Sequence, residues 1–391
     1  MSAHNRDPVI VGVGLSDYPR APHLSPRGHH VQAMQRALED AGLNKRDIDG
    51  YMTTEAGIPG AEEYSLPEMA EYLQIDHRWL DGTFTGGSAF EFMMQHAAAA
   101  IRLGMAETIL MTYGSSLFSH MGRSLGTNTS YEPVGAQQYE MPYGSSIVSA
   151  YAMAARRHMH QYGTSSEQLA HIAVAARQFA AMNPNAMYQD PITVDDVLDS
   201  RMISDPLHLL DCCVVSDGGG AVIATTAERA RDLRQPPVYV LGTTGRQTHW
   251  NISQNPNFAS TAAALAGPEA FAQAGITHDD VDMLMLYDSF TITVLLLLES
   301  LGFCKPGEGG PFVTDGRLAP GGSLPINTDG GGLSSCHPGM RGMFLLIEAA
   351  RQIRGQAGPA QVPDCNVAVA AGSGGWLACM GVTVLGAEAT R

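Results

Sequence analysis

Two similar α/β halves of unequal length are the fold that this sequence predicts. Three observations carry the prediction. A β-branched run followed by an amphipathic helix, with glycine turns between elements, occurs in both parts of the chain. A composition break at "RDLRQPPVYVLGTTG" separates the two parts, and its "VYVLGTTG" echoes the opening "VIVGVGLS". With 391 residues, 45% of them hydrophobic, the chain can bury a real core in each part. A repeat of this kind fits two related halves better than one continuous nucleotide-binding sheet.

The elements follow in order. "PVIVGVGL" reads as a first buried strand. "HHVQAMQRALEDAGL" has apolar positions at helical spacing and a stop signal at Gly42. "TGGSAFEFMMQHAAAAIRLG" is a glycine turn opening a long amphipathic helix, and "ETILMTYGSS" is the buried strand after it. Helical segments fill an insertion from about 116 to 210, read as a loop domain. "GGGAVIATTAERARDL" is a strand running into a short helix. Pro236 and Pro237 then punctuate the chain, which sets the halves at 1–235 and 236–391. In the second half "VDMLMLYDSF" is a strand and "ITVLLLLESLGF" a helix. "GGGLSSCHPGMRGMFLLIEAARQIRG" is again a glycine turn opening a helix. "NVAVAAGSGGWLACMGVTVLGA" is two strands around a glycine turn.

Composition excludes several classes of function. A net charge of −16 argues against nucleic acid and anionic membranes as partners. The six cysteines form no CxxC pair and no regular spacing, which points to reduced thiols in a cytoplasmic protein, with neither a disulfide frame nor a metal site. The N-terminus lacks the basic-then-apolar pattern of a signal peptide. The longest apolar run is interrupted by Glu299 and is too short to span a bilayer, so no membrane insertion is expected. Gly218–Gly220 and Gly330–Gly332 resemble phosphate loops only superficially, because no GxxxxGK[ST] is present.

The turn before the first long helix is where an α/β enzyme often places a nucleophile, since a helix N-terminus stabilises an anion. Here the turn holds Thr85, Gly86, Gly87 and Ser88. Together with "YGTSSEQLAHIAVAARQFAAMNPNAMYQDPIT", "DPLHLLDCCVVSDGGGAVIAT", "YDSFTITVLLLLESLGFCKPGEGG", "INTDGGGLSSCHPGMRG" and "AAGSGGWLACMG", this block resembles the thiolase superfamily, in its sterol-carrier and lipid-transfer branch. The resemblance runs in order over nearly the whole chain. It implies a five-layer αβαβα fold of two similar halves with a helical loop domain in the first. It also implies a homodimer acting on acyl-CoA thioesters, with coenzyme A as part of the substrate and no covalently bound cofactor.

Three departures from the thiolase pattern decide the chemistry. The position of the nucleophilic cysteine falls on Gly87. The position of the second, acid/base cysteine falls on Gly372. Tyr287 stands where Asn or His is usual, whereas the histidine of the HPG motif is kept as His337. Glycine cannot be acylated, so the covalent route is closed at Gly87. An enolate can still be stabilised, by backbone N–H groups near Gly374 and Gly375 and by a His337 donor. A retro-aldol cleavage of a 3-hydroxyacyl-CoA passes through such an enolate without a covalent step.

Certain lipid-transfer-type relatives are aldolases that cleave steroid side-chain CoA thioesters, lack the cysteine and use two tyrosines. Tyr287 falls on one of those positions, and His337 stands on the other. Tyr287 and His337 are therefore the expected catalytic pair, with Asp288 as an orienting neighbour or a cap of the following helix. Gly87, Ser88, Gly374, Gly375 and His249 are expected to line the pocket. Arg246, or the Arg156–Arg157 pair, is the candidate contact for CoA phosphates. Cys336 is set aside as a nucleophile because adjacent residues rarely aim at one point, and Ser88 because no base stands beside it in sequence. Related enzymes work with a small OB-fold, zinc-ribbon partner, and the resemblance implies one here. Two other readings remain open: an acyltransferase with a different nucleophile, and a non-catalytic acyl-CoA or lipid binder.

Overall fold

The apolar alternations become strands where the sequence places them. The computed structural model describes residues 6–54, 64–121, 134–144 and 146–390. Of the loop domain expected over 116–210, residues 122–133 and 145 lie outside the described residues. Strands β1 (Pro8–Leu15), β2 (Gly50–Met52), β3 (Trp79–Asp81), β4 (Thr108–Ser115) and β7 (Gly218–Thr226) form one set. Strands β8 (Val238–Gln247), β9 (Met283–Leu286), β10 (Val367–Gly374) and β11 (Cys379–Gly386) form another. A small hairpin, β5 (Met202–Ser204) with β6 (Leu207–His208), lies between β4 and β7 in the chain.

Pairing shows the repeat directly. The sheet order is β3-β2-β4-β7-β1-β8-β11-β10-β9. In the first set β1 is antiparallel to β7, β7 antiparallel to β4, and β4 parallel to β2. In the second, β8 is antiparallel to β11, β11 antiparallel to β10, and β10 parallel to β9. Among the described residues the sets pair where Val9 and Ile10 of β1 face Tyr239 and Val238 of β8.

The helices complete the layers. Pro26–Ala41 packs on β1, β4 and β7, and Ala263–Ala274 on β8 and β11. Ala89–Leu103 and Gly342–Ile353 touch strands of both sets and so lie between them. This is the αβαβα arrangement. Ser25 caps the first of these helices and Gly42, at φ 73°, ends it, as the stop signal predicts. The helix Thr291–Leu301 is buried along nearly its whole length, which explains its lack of a polar face. Asp288 does not cap it: the N-cap residue is Phe290, with no side-chain cap.

Candidate active site

Tyr287 continues β9 by one residue. Its backbone N–H donates to the Ala371 carbonyl at 2.9 Å, which fixes the ring beside β10. His337 lies on the loop between the Gly331–Ser335 turn and the Gly342–Ile353 helix. Its N–H donates to Ser216 Oγ at 2.9 Å, and its carbonyl accepts from Ser216 N at 3.3 Å. The next residue is held as well, because the Tyr113 hydroxyl donates to the Pro338 carbonyl at 2.5 Å and accepts from Met340 N at 3.1 Å. The imidazole is thereby aimed from two sides, and the Tyr287 hydroxyl lies 3.0 Å from His337 Nε2. The rings meet edge to face, with centroids 5.6 Å apart.

The position of Gly87 gives this pair its meaning. A Cβ built at Gly87 would overlap the Tyr287 ring and hydroxyl. The tyrosine occupies the space that any side chain at position 87 would need. Gly86 turns at φ 70°, and a Cβ there would stand 2.8 Å from Gly375 N, so the two glycine turns press against each other. The Gly87 carbonyl accepts from Gly342 N at 3.1 Å, which ties the turn to the second-half helix.

Electrostatics separates the two partners. Burial, reinforced by the Arg341 charge, pushes His337 down to about 4, so the imidazole is neutral at pH 7. Burial holds the Tyr287 hydroxyl well above its ordinary value, so it stays a donor. His337 Nδ1 is buried with no hydrogen-bond partner.

Asp288 has a different post from the orienting one expected. Its carboxylate accepts from Gly332 N at 2.7 Å and Leu333 N at 3.2 Å and pairs with Arg341 Nε at 3.2 Å. Burial raises its pKa to about 6 against the pull of Arg341. Arg341 also grips Asp329 with Nη2 at 2.6 and 2.7 Å and donates to the Cys336 carbonyl at 2.9 Å. This cluster shapes the glycine-rich turn that carries His337.

The remaining expected residues divide. Ser88 Oγ donates to Thr85, with its carbonyl oxygen and Oγ1 both at 3.2 Å. Gly374 and Gly375 face the Thr85–Gly87 turn, and the Gly375 carbonyl accepts from the Tyr151 hydroxyl at 3.3 Å. His249 is buried on this same glycine turn, with Nε2 hydrogen-bonded to the Trp376 carbonyl at 2.9 Å. Arg246 is half-exposed and bidentate to Glu269, at 2.5 and 2.6 Å, and Arg156 is paired with Asp205. Each cysteine thiol is pushed up by burial, Cys336 to about 12. None is a thiolate at neutral pH. Sequence reasoning missed Tyr113, Ser216 and Arg341. Only Arg341, a charge beside a glycine-rich motif, left a readable signal. Among the described residues no group of three or more His, Cys, Asp or Glu side chains could hold a metal ion, and no helix is long and apolar enough to cross a membrane.

Residues 244–387 match the thiolase C-terminal domain-like family. The chain is 36% identical to a steroid side-chain-cleaving aldolase from Thermomonospora curvata, over 94% of this chain and 95% of that one. It is 35% identical to the 17-hydroxy-3-oxo-4-pregnene-20-carboxyl-CoA lyase of Mycobacterium tuberculosis, over 94% and 96%. It superimposes on the solved Ltp2-ChsH2(DUF35) aldolase with a TM-score of 0.88 and 32% identity, over 98% of this chain and 99% of that one. The chain belongs to the thiolase-like family that includes the steroid side-chain-cleaving aldolases.

Proposed function

We propose that this protein is a carbon–carbon lyase that cleaves a 3-hydroxyacyl-CoA by a retro-aldol reaction, the acyl group being a steroid side chain or one of similar bulk. The observation that carries the reading is the Tyr287 hydroxyl packed against Gly87, where a side chain would otherwise stand, and hydrogen-bonded to a neutral His337. The similarity, over 94% of the chain, to a steroid side-chain-cleaving aldolase and to a 17-hydroxy-3-oxo-4-pregnene-20-carboxyl-CoA lyase supports it.

The chemistry follows from the two protonation states. His337 takes the β-hydroxyl proton. The oxygen becomes a carbonyl, the Cα–Cβ bond breaks, and its electron pair moves into the thioester as an enolate. Tyr287 donates a hydrogen bond to the thioester oxygen as charge gathers there, which contributes roughly 3 kcal/mol in comparable sites. Protonation at Cα releases the shortened acyl-CoA, and the ketone leaves. Amides of the Gly374–Gly375 turn and the Gly87–Ser88 segment line the same place, with His249 supporting the turn from behind. Asp288 acts through the glycine-rich loop. Arg246 contacts CoA phosphate by exchanging Glu269 for it.

The protein works in the cytoplasm as a homodimer with a small OB-fold, zinc-ribbon partner that completes the acyl-CoA site. The two-component name of the solved aldolase supports a partner of this kind. The raised thiol pKa values speak against the acyltransferase alternative. The test is a mass-spectrometric product assay on a panel of 3-hydroxyacyl-CoAs, with and without the partner. A shortened acyl-CoA plus a ketone is expected. Acyl-CoA binding without turnover in both conditions would leave the binder reading in its place.

A further inference from the structure

Base and oxyanion donor are accounted for by His337 and Tyr287, but the enolate also needs a proton at Cα. One buried acid stands out. Glu91 is fully buried, and neither carboxyl oxygen has a hydrogen-bond partner in another residue. The other buried acids among the described residues are engaged. Glu299 meets His158 and two backbone amides, Glu348 meets Thr328 and Gln352, and Asp288 meets Arg341 and two amides. Asp211 accepts from Thr291, Asp217 from Ser119, and Glu140 from Ser253 N. A carboxyl buried for structural reasons alone would be costly without such partners.

Three glycines face Glu91. A Cβ at Gly372 would overlap its carboxyl. One at Gly342 would come within 2.5 Å of Oε2, and one at Gly381 within 2.5 Å of its Cβ. Gly372 is one residue beyond Ala371, whose carbonyl holds Tyr287, and Gly342 is the residue whose N–H holds the Gly87 carbonyl. Two side chains are thus absent from this centre, at 87 and at 372. The Tyr287 ring fills the first space and the Glu91 carboxyl fills the second. Ser88 and Glu91 have the spacing of a capping box, yet Ser88 makes no side-chain cap and the Glu91 carboxyl faces the glycines instead.

We propose that Glu91 is the general acid that delivers the proton to Cα of the enolate, an inference that rests on the aldolase reading. Its carboxyl O–H bond breaks as the Cα–H bond forms, and a carboxylate remains. That carboxylate lies in the first turn of the Ala89–Leu103 helix, where the N-terminal dipole favours negative charge. The β-hydroxyl proton held by His337 returns to it before the next turnover, so the cycle balances without another reactant. Burial pushes the carboxyl well above the ordinary carboxylate range, the direction the role requires.

The test uses the full chain with its partner protein. Glu91→Gln keeps the shape and removes the acid. Its kcat for cleavage should fall by about 100-fold or more with KM nearly unchanged. Exchange of the product acyl-CoA α-protons in deuterium oxide, which reports protonation at Cα alone, should fall in parallel. Glu91→Asp should restore part of both. Glu91→Gln turning over within about threefold of the wild type, or slow cleavage with unaltered α-exchange, would overturn the assignment. If Glu91→Gln does not fold, infrared difference spectra of the wild type decide. A protonated-carboxyl band that shifts when product acyl-CoA binds is expected, and an unshifted band refutes the role. A wild type that cleaves no 3-hydroxyacyl-CoA sinks the aldolase reading as a whole, whereas an active wild type matched by Glu91→Gln sinks Glu91 alone.

Discussion

At the scale of single residues, the centre is defined by which side chains fill the gaps left by glycine. A methyl group at Gly87 has nowhere to go, because the Tyr287 ring already stands there. Gly87→Ala should therefore displace the tyrosine hydroxyl and lower kcat for aldol cleavage by about 100-fold or more, and Gly87→Cys should lose cleavage without gaining acyl transfer. Steady-state kinetics with labelled acyl-CoA distinguishes these outcomes. Tyr287→Phe and His337→Ala should each cost about 100-fold to 10,000-fold in kcat. Because His337 is held down to about 4 and must be neutral to act, activity should persist as pH drops from 7 to 5 and fail only near 4. A kcat/KM profile with an acid limb near 6.5 would contradict that. Tyr287 and His337 were legible as candidates from their motif positions. Their contact was not, since 50 residues separate them.

At the scale of elements, the glycine-rich turn is the part most open to damage. Gly331–Ser335 forms a single wide turn whose amides point at Asp288, and Asp288 in turn is held by Arg341. Both side chains of the ion pair are fully buried. Removing one member strands the other, which costs about 3–5 kcal/mol in comparable buried pairs. Asp288→Ala and Arg341→Met should each lower the melting temperature, and the double variant should recover part of the loss. Additive losses in a thermal-denaturation cycle would show that the pair is not coupled. In the sequence Asp288 reads as an orienting neighbour of Tyr287 or as a cap three residues before a helix. Its true partners come from a glycine loop more than 40 residues away.

For the whole molecule, buried titratable groups pull stability in opposite directions with pH. His29 and His337 are pushed down to about 4 and His30 to about 3 by burial. Their contribution is present above pH 6.5 and is lost as pH falls through the folded values. Asp288, raised to about 6, and Glu91, also raised by burial, act oppositely: their contribution is complete below the ordinary carboxylate range and is lost as pH rises through the folded value. The net dependence between pH 4.5 and 6.5 should therefore be shallow. Single variants isolate one side. His30 bonds Thr112 at 2.8 Å and Tyr64 at 3.0 Å, and its replacement by Gln should destabilise at pH 7. The stability gap between wild type and His30→Gln should be about 2 kcal/mol smaller at pH 5 than at pH 7. Urea midpoints at the two pH values measure this, and an unchanged gap would show that His30 titrates normally in the fold.

The resemblance to the thiolase pattern marked Gly87 as the place where a nucleophile would stand, and local pattern by itself determined the strands, the helix stops and the doubled architecture. These depend on side-chain period, glycine conformation and residue chemistry, all of which are written along the chain. Only the tertiary structure decided what stands in the vacated space. The Tyr287 ring against Gly87, the Glu91 carboxyl against Gly372, and Ser216 and Tyr113 behind the His337–Pro338 segment join residues 121 to 281 positions apart in sequence. The physical reason is that proximity across such separations is set by how the two halves of one sheet close on a shared pair of helices. That packing fixes which polar groups lose water and which neighbours they meet instead.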